Sequence, residues 1–177
     1  MLTGRSTIAR HGPRRIWSEM SNGVLELRRF DPSDARLVRE LHDLALTEVG
    51  AHLGRGASDD DLDEIPETYL EDGGEFLVGI YDGRLVAMGA LRHVTGTVAE
   101  LKRMHVHPAF QRRGFGRLIL ARLEARAREL GYRRLRLNTT VVQTAAQRLY
   151  ATSGYREVGR GQLAGVEVVY FAKPLNV

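Results

Sequence analysis

Residues 106–118 read Val-His-Pro-Ala-Phe-Gln-Arg-Arg-Gly-Phe-Gly-Arg-Leu. An apolar, strand-like run ends, Pro108 stops it by removing a backbone donor, and a basic loop leads to two glycines that open a long amphipathic stretch. A strand turned directly into a helix constrains the fold strongly, because the helix must pack back onto the sheet to which the strand belongs. The loop also has a chemistry. The first turn of a helix carries unpaired N–H groups and the positive end of the helix dipole. Gly114 and Gly116 have no side chain to keep a ligand off the main chain. Gln111, Arg112, Arg113 and Arg117 surround that turn with donors. Together they form a site for a phosphate or pyrophosphate. The competing reading is a glycine-softened loop with solvated arginines.

Two common phosphate motifs are excluded by the residues after Gly116. A P-loop needs Gly-Lys-Ser/Thr, whose lysine and hydroxyl handle the terminal phosphate and magnesium; here Arg117 and Leu118 occupy those places. The dinucleotide fingerprint needs a third glycine or alanine, and an acid about 20 residues on for the ribose. Ile119 takes the first of those positions, and the basic run Arg133-Arg134-Leu135-Arg136 occupies the region of the second.

The flanks give the fold class. Residues 24–30 read as a strand, and Asp31-Pro32 as a helix start with Asp31 at the N-cap. Leu37, Val38, Leu41, Leu44 and Ala45 recur at helical spacing until the Gly50 to Gly56 region breaks the helix. A second, acidic helix is expected around 59–69, weakened by Pro66 and ended at Asp72-Gly73-Gly74. Residues 75–81 and 84–91 form a hairpin across Asp82-Gly83, and a turn at Thr95-Gly96 leads to a strand over 97–106. The helix after Gly116 carries Phe115, Ile119, Leu123, Ala127 and Leu130 on one stripe and ends at Gly131. A strand over 133–138, a helix over 141–152, a strand led into by 153–158 and a strand over 166–172 complete the order β-α-α-β-β-β-α-β-α-β-β. This is an α/β (α+β) chain with a mixed, mostly antiparallel sheet of six to seven strands flanked by helices. Strand, helix, strand around residues 97–138 makes a β-α-β parallel crossover.

The 177 residues suit one domain with a sizeable core. We expect residues 1–22 to be a flexible basic N-terminal tail and residues 23–177 a single domain. The absence of cysteine removes thiolate chemistry and fits a cytoplasmic location. No apolar run approaches the roughly 20 residues that span a bilayer. Charge is uneven: residues 102–136 hold eleven Lys/Arg against Glu124 and Glu129, and residues 58–75 hold nine Asp/Glu and no Lys or Arg. A basic and an acidic patch in one domain point to two different ligands; the plainer reading is two solvated faces. The basic stretch lacks the interleaved aromatic residues that single-stranded nucleic acid would stack on, which argues against that partner.

The run Gln111-Arg112-Arg113-Gly114-Phe115-Gly116 after Val106-His107-Pro108 resembles the acetyl-CoA-binding signature of the GCN5-related N-acetyltransferase (GNAT) family. Glu100 to Pro108 resembles the family's fourth strand, and Ala145 to Tyr150 with Gly154-Tyr155 resembles its last-helix segment. The resemblance covers about residues 24–173. It implies acetyl-CoA as cosubstrate, with Met104, His105 and Val106 along the pantetheine arm, Gln111 to Arg117 at the pyrophosphate, and Asn138 and Gln143 completing the contacts. The family's frequent asparagine at the start of the last helix is Gln143 here, which puts that contact in doubt, and Thr140-x-x-Gln143 fits a capping box equally well.

The implied reaction is direct attack of an amine on the thioester. Tyr150, where the resemblance puts a tyrosine near the CoA sulfur, is the candidate general acid. Glu100 is the candidate base, since a carboxylate in an apolar strand would gain proton affinity; otherwise it is a charge on the outer strand face. His105 is a secondary base candidate. His105 and His107 lack a third ligand at motif spacing, so no metal is expected. The acidic segment motivates a cationic acceptor, a small-molecule or peptide amine, and pairing through the last strands would give a homodimer. The rival reading is a non-catalytic CoA-binding or regulatory domain of the same fold.

Overall fold

The computed structural model describes residues 23–48, 50 and 57–176. The expected tail over 1–22 and nearly all of the break over 50–56 lie outside the described residues. Strand β1 (Glu26–Arg29) leads into a capped turn. Asp31 accepts from Ser33 N, and the Asp34 carboxylate accepts from Asp31 N at 2.9 Å, so a capping box starts helix α1 (Ala35–Glu48). The expected acidic helix is absent as such: a 3₁₀ segment (Ala57–Leu62) and one π-helical turn (Pro66–Leu70) replace it. Pro66 is the reason, since it has no N–H to donate into a preceding turn.

Strands β2 (Glu75–Tyr81), β3 (Arg84–Thr95) and β4 (Val98–Val106) run antiparallel in sequence, and β3 is longer than the hairpin pattern predicts. Helix α2 (Phe115–Glu129), strand β5 (Arg134–Thr140), helix α3 (Thr144–Thr152) and strands β6 (Arg156–Leu163) and β7 (Val166–Pro174) complete the chain. The seven strands lie in the order β1-β2-β3-β4-β5-β7-β6, and β4–β5 is the parallel pair. Alternation along the strands divides the core in two. On one face Ile119, Leu123 and Ala127 of α2 pack with Leu101, Leu135 and Leu137; on the other, Val38 and Leu41 of α1 pack with Met88, Ala90 and Tyr69.

One irregularity sets the site. Met88 pairs with His105 but Ala90 pairs with Lys102, so β4 carries one extra residue there, and Arg103 sits at φ 55°. Such a bulge bends the strand. Pairing between β4 and β5 ends at Glu100↔Arg136, although β4 continues to Val106 and β5 to Thr140. A gap opens between them. Opposite the bulge, a Cβ on Gly89 would lie 2.6 Å from Ile119 Cγ2 and from Met104 Sδ. Gly89→Ala is therefore expected to cost about 1–3 kcal/mol by overpacking, read as a lower midpoint in urea unfolding; an unchanged midpoint would show that this contact does not hold the bulged region.

Candidate active site

The loop before α2 is built from a short 3₁₀ turn (Pro108–Phe110), Arg112 at φ 60° and Gly114 at φ 83°, the N-cap of α2. No side chain caps that helix, so the N–H groups of its first turn point out of its end. Gln111 reaches Glu48 on α1 (Nε2 to Oε2, 3.2 Å), and Arg117 reaches Thr152 on α3 (3.4 Å). A Cβ on Gly116 would meet Leu149 Cδ2 at 3.4 Å and Val106 Cγ2 at 3.7 Å, which is ordinary contact. In the free protein nothing forbids a side chain there.

A cleft of about 570 Å³ runs from this loop, between α2 and α3, along Met104–Val106 of β4 beyond its last pair with β5, and on to Ala45 of α1. Among the residues expected at the cofactor, it is lined by Met104, His105, Val106, Gln111, Arg112, Gly114, Phe115, Gly116, Arg117 and Gln143, and Tyr150 lines it too. Three expected residues are not in its wall. Arg113 lies over the rings of Phe110 and Tyr81, 5.2 and 5.7 Å from their centroids. Asn138 pairs with Tyr170 of β7 on the sheet face away from α2. Glu100 opens onto a separate cavity. Ala45, Phe110 and Arg148 line the cleft beyond the residues expected there; Arg148 lies one residue from the leucine of the last-helix segment, whereas nothing local marks Ala45.

Gln143 occupies the N-cap position of α3, but its side chain turns back. Its Oε1 accepts from Thr139 Oγ1, Thr140 N and Thr140 Oγ1 at 2.8–3.2 Å. The Thr140-x-x-Gln143 box is thus half formed, because the helix begins at Thr144 and Thr140 is not its cap. Tyr150 is buried against Tyr155 and Phe171, and that burial pushes its phenol well above the usual tyrosine range.

The bulge carries a polar chain to the far side of the sheet. Arg103 pairs with Asp61, which also accepts from Tyr69. The Arg103 guanidinium faces His42 Nε2 at 3.4 Å, and His42 Nδ1 faces His105 Nε2 at 3.0 Å. A guanidinium only donates. His42 Nε2 therefore accepts, its Nδ1–H donates to His105, and His105 carries its own proton on Nδ1. Burial, His42 and Arg103 lower the His105 pKa to about 3. His105 is accordingly neutral at physiological pH, which leaves the second base candidate a weak base. His107 turns away: its Nδ1 accepts from Ala109 N in the next turn.

Glu100 and Arg136, the last pair before the gap, lie on the face opposite α2, because Ala99, Leu101, Leu135 and Leu137 take the α2 side. There a cavity of about 340 Å³ is lined by Glu100, Arg136, Leu137, Val158, Tyr170 and Phe171. The Glu100 carboxylate contacts Arg92 (2.5 Å) and Arg136 (3.8 Å). The apolar surroundings expected to fit it for proton removal are replaced by two guanidiniums.

Residues 36–155 match the acetyltransferase (GNAT) family. The chain belongs to the GNAT family. It is 30% identical over 132 residues to the uncharacterised N-acetyltransferase YjgM of Escherichia coli K12, covering 72% of this chain and 77% of that one. It is 32% identical over 128 residues to the aminoglycoside N(6')-acetyltransferase type 1 of Stenotrophomonas maltophilia, covering 67% and 79%. The yncA protein of Salmonella typhimurium, solved with its cofactor acetyl-CoA, superposes with a TM-score of 0.70 at 22% identity, over 86% of this chain and 94% of that one. This GNAT protein is an acetyl-CoA-dependent N-acyltransferase. Its cleft fits the cosubstrate, with an uncapped, arginine-ringed helix start at one end and an apolar passage past Met104, Val106 and Tyr150 at the other.

This geometry sets two expected outcomes. Gly116→Ala should leave stability equal or raise it by up to about 1 kcal/mol, yet weaken acetyl-CoA binding about tenfold or more by calorimetry; equal binding would remove Gly116 from the cofactor wall. An unfolded histidine titrates near 6.5, while His105 in the fold does so near 3. Between those values the unfolded chain binds a proton that the native state refuses, so stability falls as pH falls, by at most about 1.4 kcal/mol per pH unit. Urea unfolding at pH 7, 5.5 and 4.5 should show that slope in the parent and a shallower one in His105→Gln. Equal slopes would place the effect elsewhere.

Proposed function

We propose that the amine enters from the Glu100 face, attacks the acetyl carbon directly through the gap between β4 and β5, and leaves its sulfur partner to be protonated by Tyr150. The observation that carries this reading is the cleft itself, which runs from the helix-start loop along the unpaired end of β4 to His105 and Ala45. Acetyl-CoA supplies a thioester activated toward amines. Among the described residues, no serine or cysteine lines the cleft as an intermediate acceptor of the acetyl group. Beyond Glu100, β4 has no partner strand on its β5 side among the described residues, so alternate N–H groups near Met104 and Val106 face the gap and can polarise the thioester oxygen.

Tyr150 suits the acid role because its phenol stays protonated at neutral pH. Burial makes the phenol a weaker acid, and the same apolar walls raise the proton affinity of a thiolate leaving beside it, which offsets part of that loss. An alkyl amine has a pKa near 10, leaving about one molecule in a thousand neutral at pH 7. That neutral fraction attacks, and the C–S bond breaks as the C–N bond forms. The proton shed by the nitrogen passes to solvent water, and Tyr150 regains from solvent the proton it gives to the thiolate. We assign Glu100 to orienting Arg136 and Arg92 rather than to removing that proton, on the strength of its two guanidinium contacts.

The acceptor is an amine. A cationic one, expected from the acidic segment, has limited support: Asp61 is engaged by Arg103, Asp63 by Arg39, and Glu75 by Arg29 and Arg126. Exposed Asp60, Glu64, Glu67 and Glu71 remain to attract cations, and the aminoglycoside-modifying relative acts on that class. We also place the protein in the cytoplasm, consistent with its cysteine-free sequence, and a homodimer would pair through β6, the exposed edge of the sheet. Tyr150→Phe tests the mechanism. Thiol release from acetyl-CoA should fall about 10²-fold or more while the dissociation constant for acetyl-CoA moves less than about threefold. Undiminished release would take Tyr150 out of the reaction.

A further inference from the structure

The sheet face that carries the Glu100 cavity is positively charged beyond what that carboxylate can balance. From β3 comes Arg92, from β4 Glu100 and Lys102, and from β5 Arg136. Arg103 on the same strand is matched by Asp61. Arg156 of β6 pairs across the same Ala172 as Arg136 and so lies on this face as well. Glu100 is thus one carboxylate on a face with Arg92, Lys102, Arg136 and Arg156, an excess of three positive charges.

Two of these cations are unspent. Arg136 touches Glu100 through Nε at 3.8 Å, and its two terminal nitrogens have no hydrogen-bond partner among the described residues. Lys102 forms no hydrogen bond or ion pair to the described residues, and burial lowers its pKa. A partly desolvated ammonium without a directly bonded counter-ion is costly, and a bound anion would relieve it. A guanidinium whose paired nitrogens are open matches the two oxygens of a carboxylate. Tyr170 and Val158 supply an apolar floor for the rest of a small molecule.

We propose that the acceptor is an amine bearing a carboxylate, an amino acid or a compound built on one, whose carboxylate is received by Arg136 in the cavity on the Glu100 face, with Lys102 adding positive charge from the same face of the sheet. This rests on the acetyl-transfer reading above. The arrangement places the negative end of the acceptor on the sheet and its amine toward the gap, where Glu100 faces the positive end. Net charge at the acidic segment then matters less than the separation of amine and carboxylate in one molecule.

The test compares amino acids with their own amides, together with spermidine and an aminoglycoside, by thiol release from acetyl-CoA with the full chain. The free acids should exceed their amides in kcat/KM by about tenfold or more, the worth of one charge-assisted contact. Arg136→Gln should collapse that ratio toward one, and Arg136→Lys should restore part of it. Equal rates for acids and amides, a preference for the polyamine or aminoglycoside, or a ratio unmoved by Arg136→Gln would each overturn the proposal. A second arm needs no turnover: calorimetric binding of N-acetylated amino acids and their amides to the protein saturated with CoA. Binding of the acids alone, lost in Arg136→Gln, supports the carboxylate site. Binding of neither, or of both equally, sinks it. No acetyl transfer to any amine would count against the catalytic reading, while this arm still decides the carboxylate site.

Discussion

The structure depends on the point at which β4 and β5 stop pairing. Three residue pairs hold the two strands together, ending at Glu100↔Arg136. A further run of pairs would close the sheet and leave nowhere for an extended ligand to cross it. The extra residue in β4 at Arg103 prevents this by bending the strand away. A non-glycine residue at positive φ is held there at some cost, and the Arg103–Asp61 pair, with His42 packed beside it, supplies holding contacts. The π-helical turn and 3₁₀ segment between α1 and β2 therefore do more than fill space: they clamp the bulge from the far face.

Much of the fold was legible because it rests on local rules. Asp31-Pro32 capped a helix start, Asp82-Gly83 turned a hairpin, and the stripe from Phe115 to Ala127 faced the core, as period and turn chemistry require. The helix-start loop was legible for the same reason, since its chemistry is that of backbone N–H groups and glycine. The bulge was not, because Arg103 carries none of the residue signals of positive φ. The acidic helix misled because the pattern around 59–69 was helical while Pro66 broke its hydrogen bonding.

The parts of the site that sequence missed are pairings across long separations. His42 and His105 stand 63 residues apart, and neither is marked by its neighbours. Glu100 looked like a carboxylate in an apolar strand, since Ala99 and Leu101 flank it. Those flanking residues face α2, whereas Glu100 faces Arg92 and Arg136, eight residues back along the chain and 36 ahead. Period-2 alternation states that neighbours point the opposite way, but it does not say what waits on the other face.

The basic run over 102–136 likewise reads as one patch, but eight of its eleven Lys/Arg divide into three separate devices. Arg112 and Arg117, with Arg113 stacked on Phe110 and Tyr81, belong to the helix-start loop. Arg122, Arg126 and Arg128 are tied to Glu75, Glu124 and Glu129, and the last two also sit where cations complement the negative end of α2. Lys102 and Arg136 stand at the mouth of the gap on the opposite face. Only the first and last groups keep unspent charge, and the sheet lies between them. A molecule that satisfied both at once would have to pass through the gap with negative charge at each end, which neither substrate does alone. Acetyl-CoA on one side and the proposed carboxylate-bearing amine on the other would do so together, with the thioester and the amine meeting between the two charges.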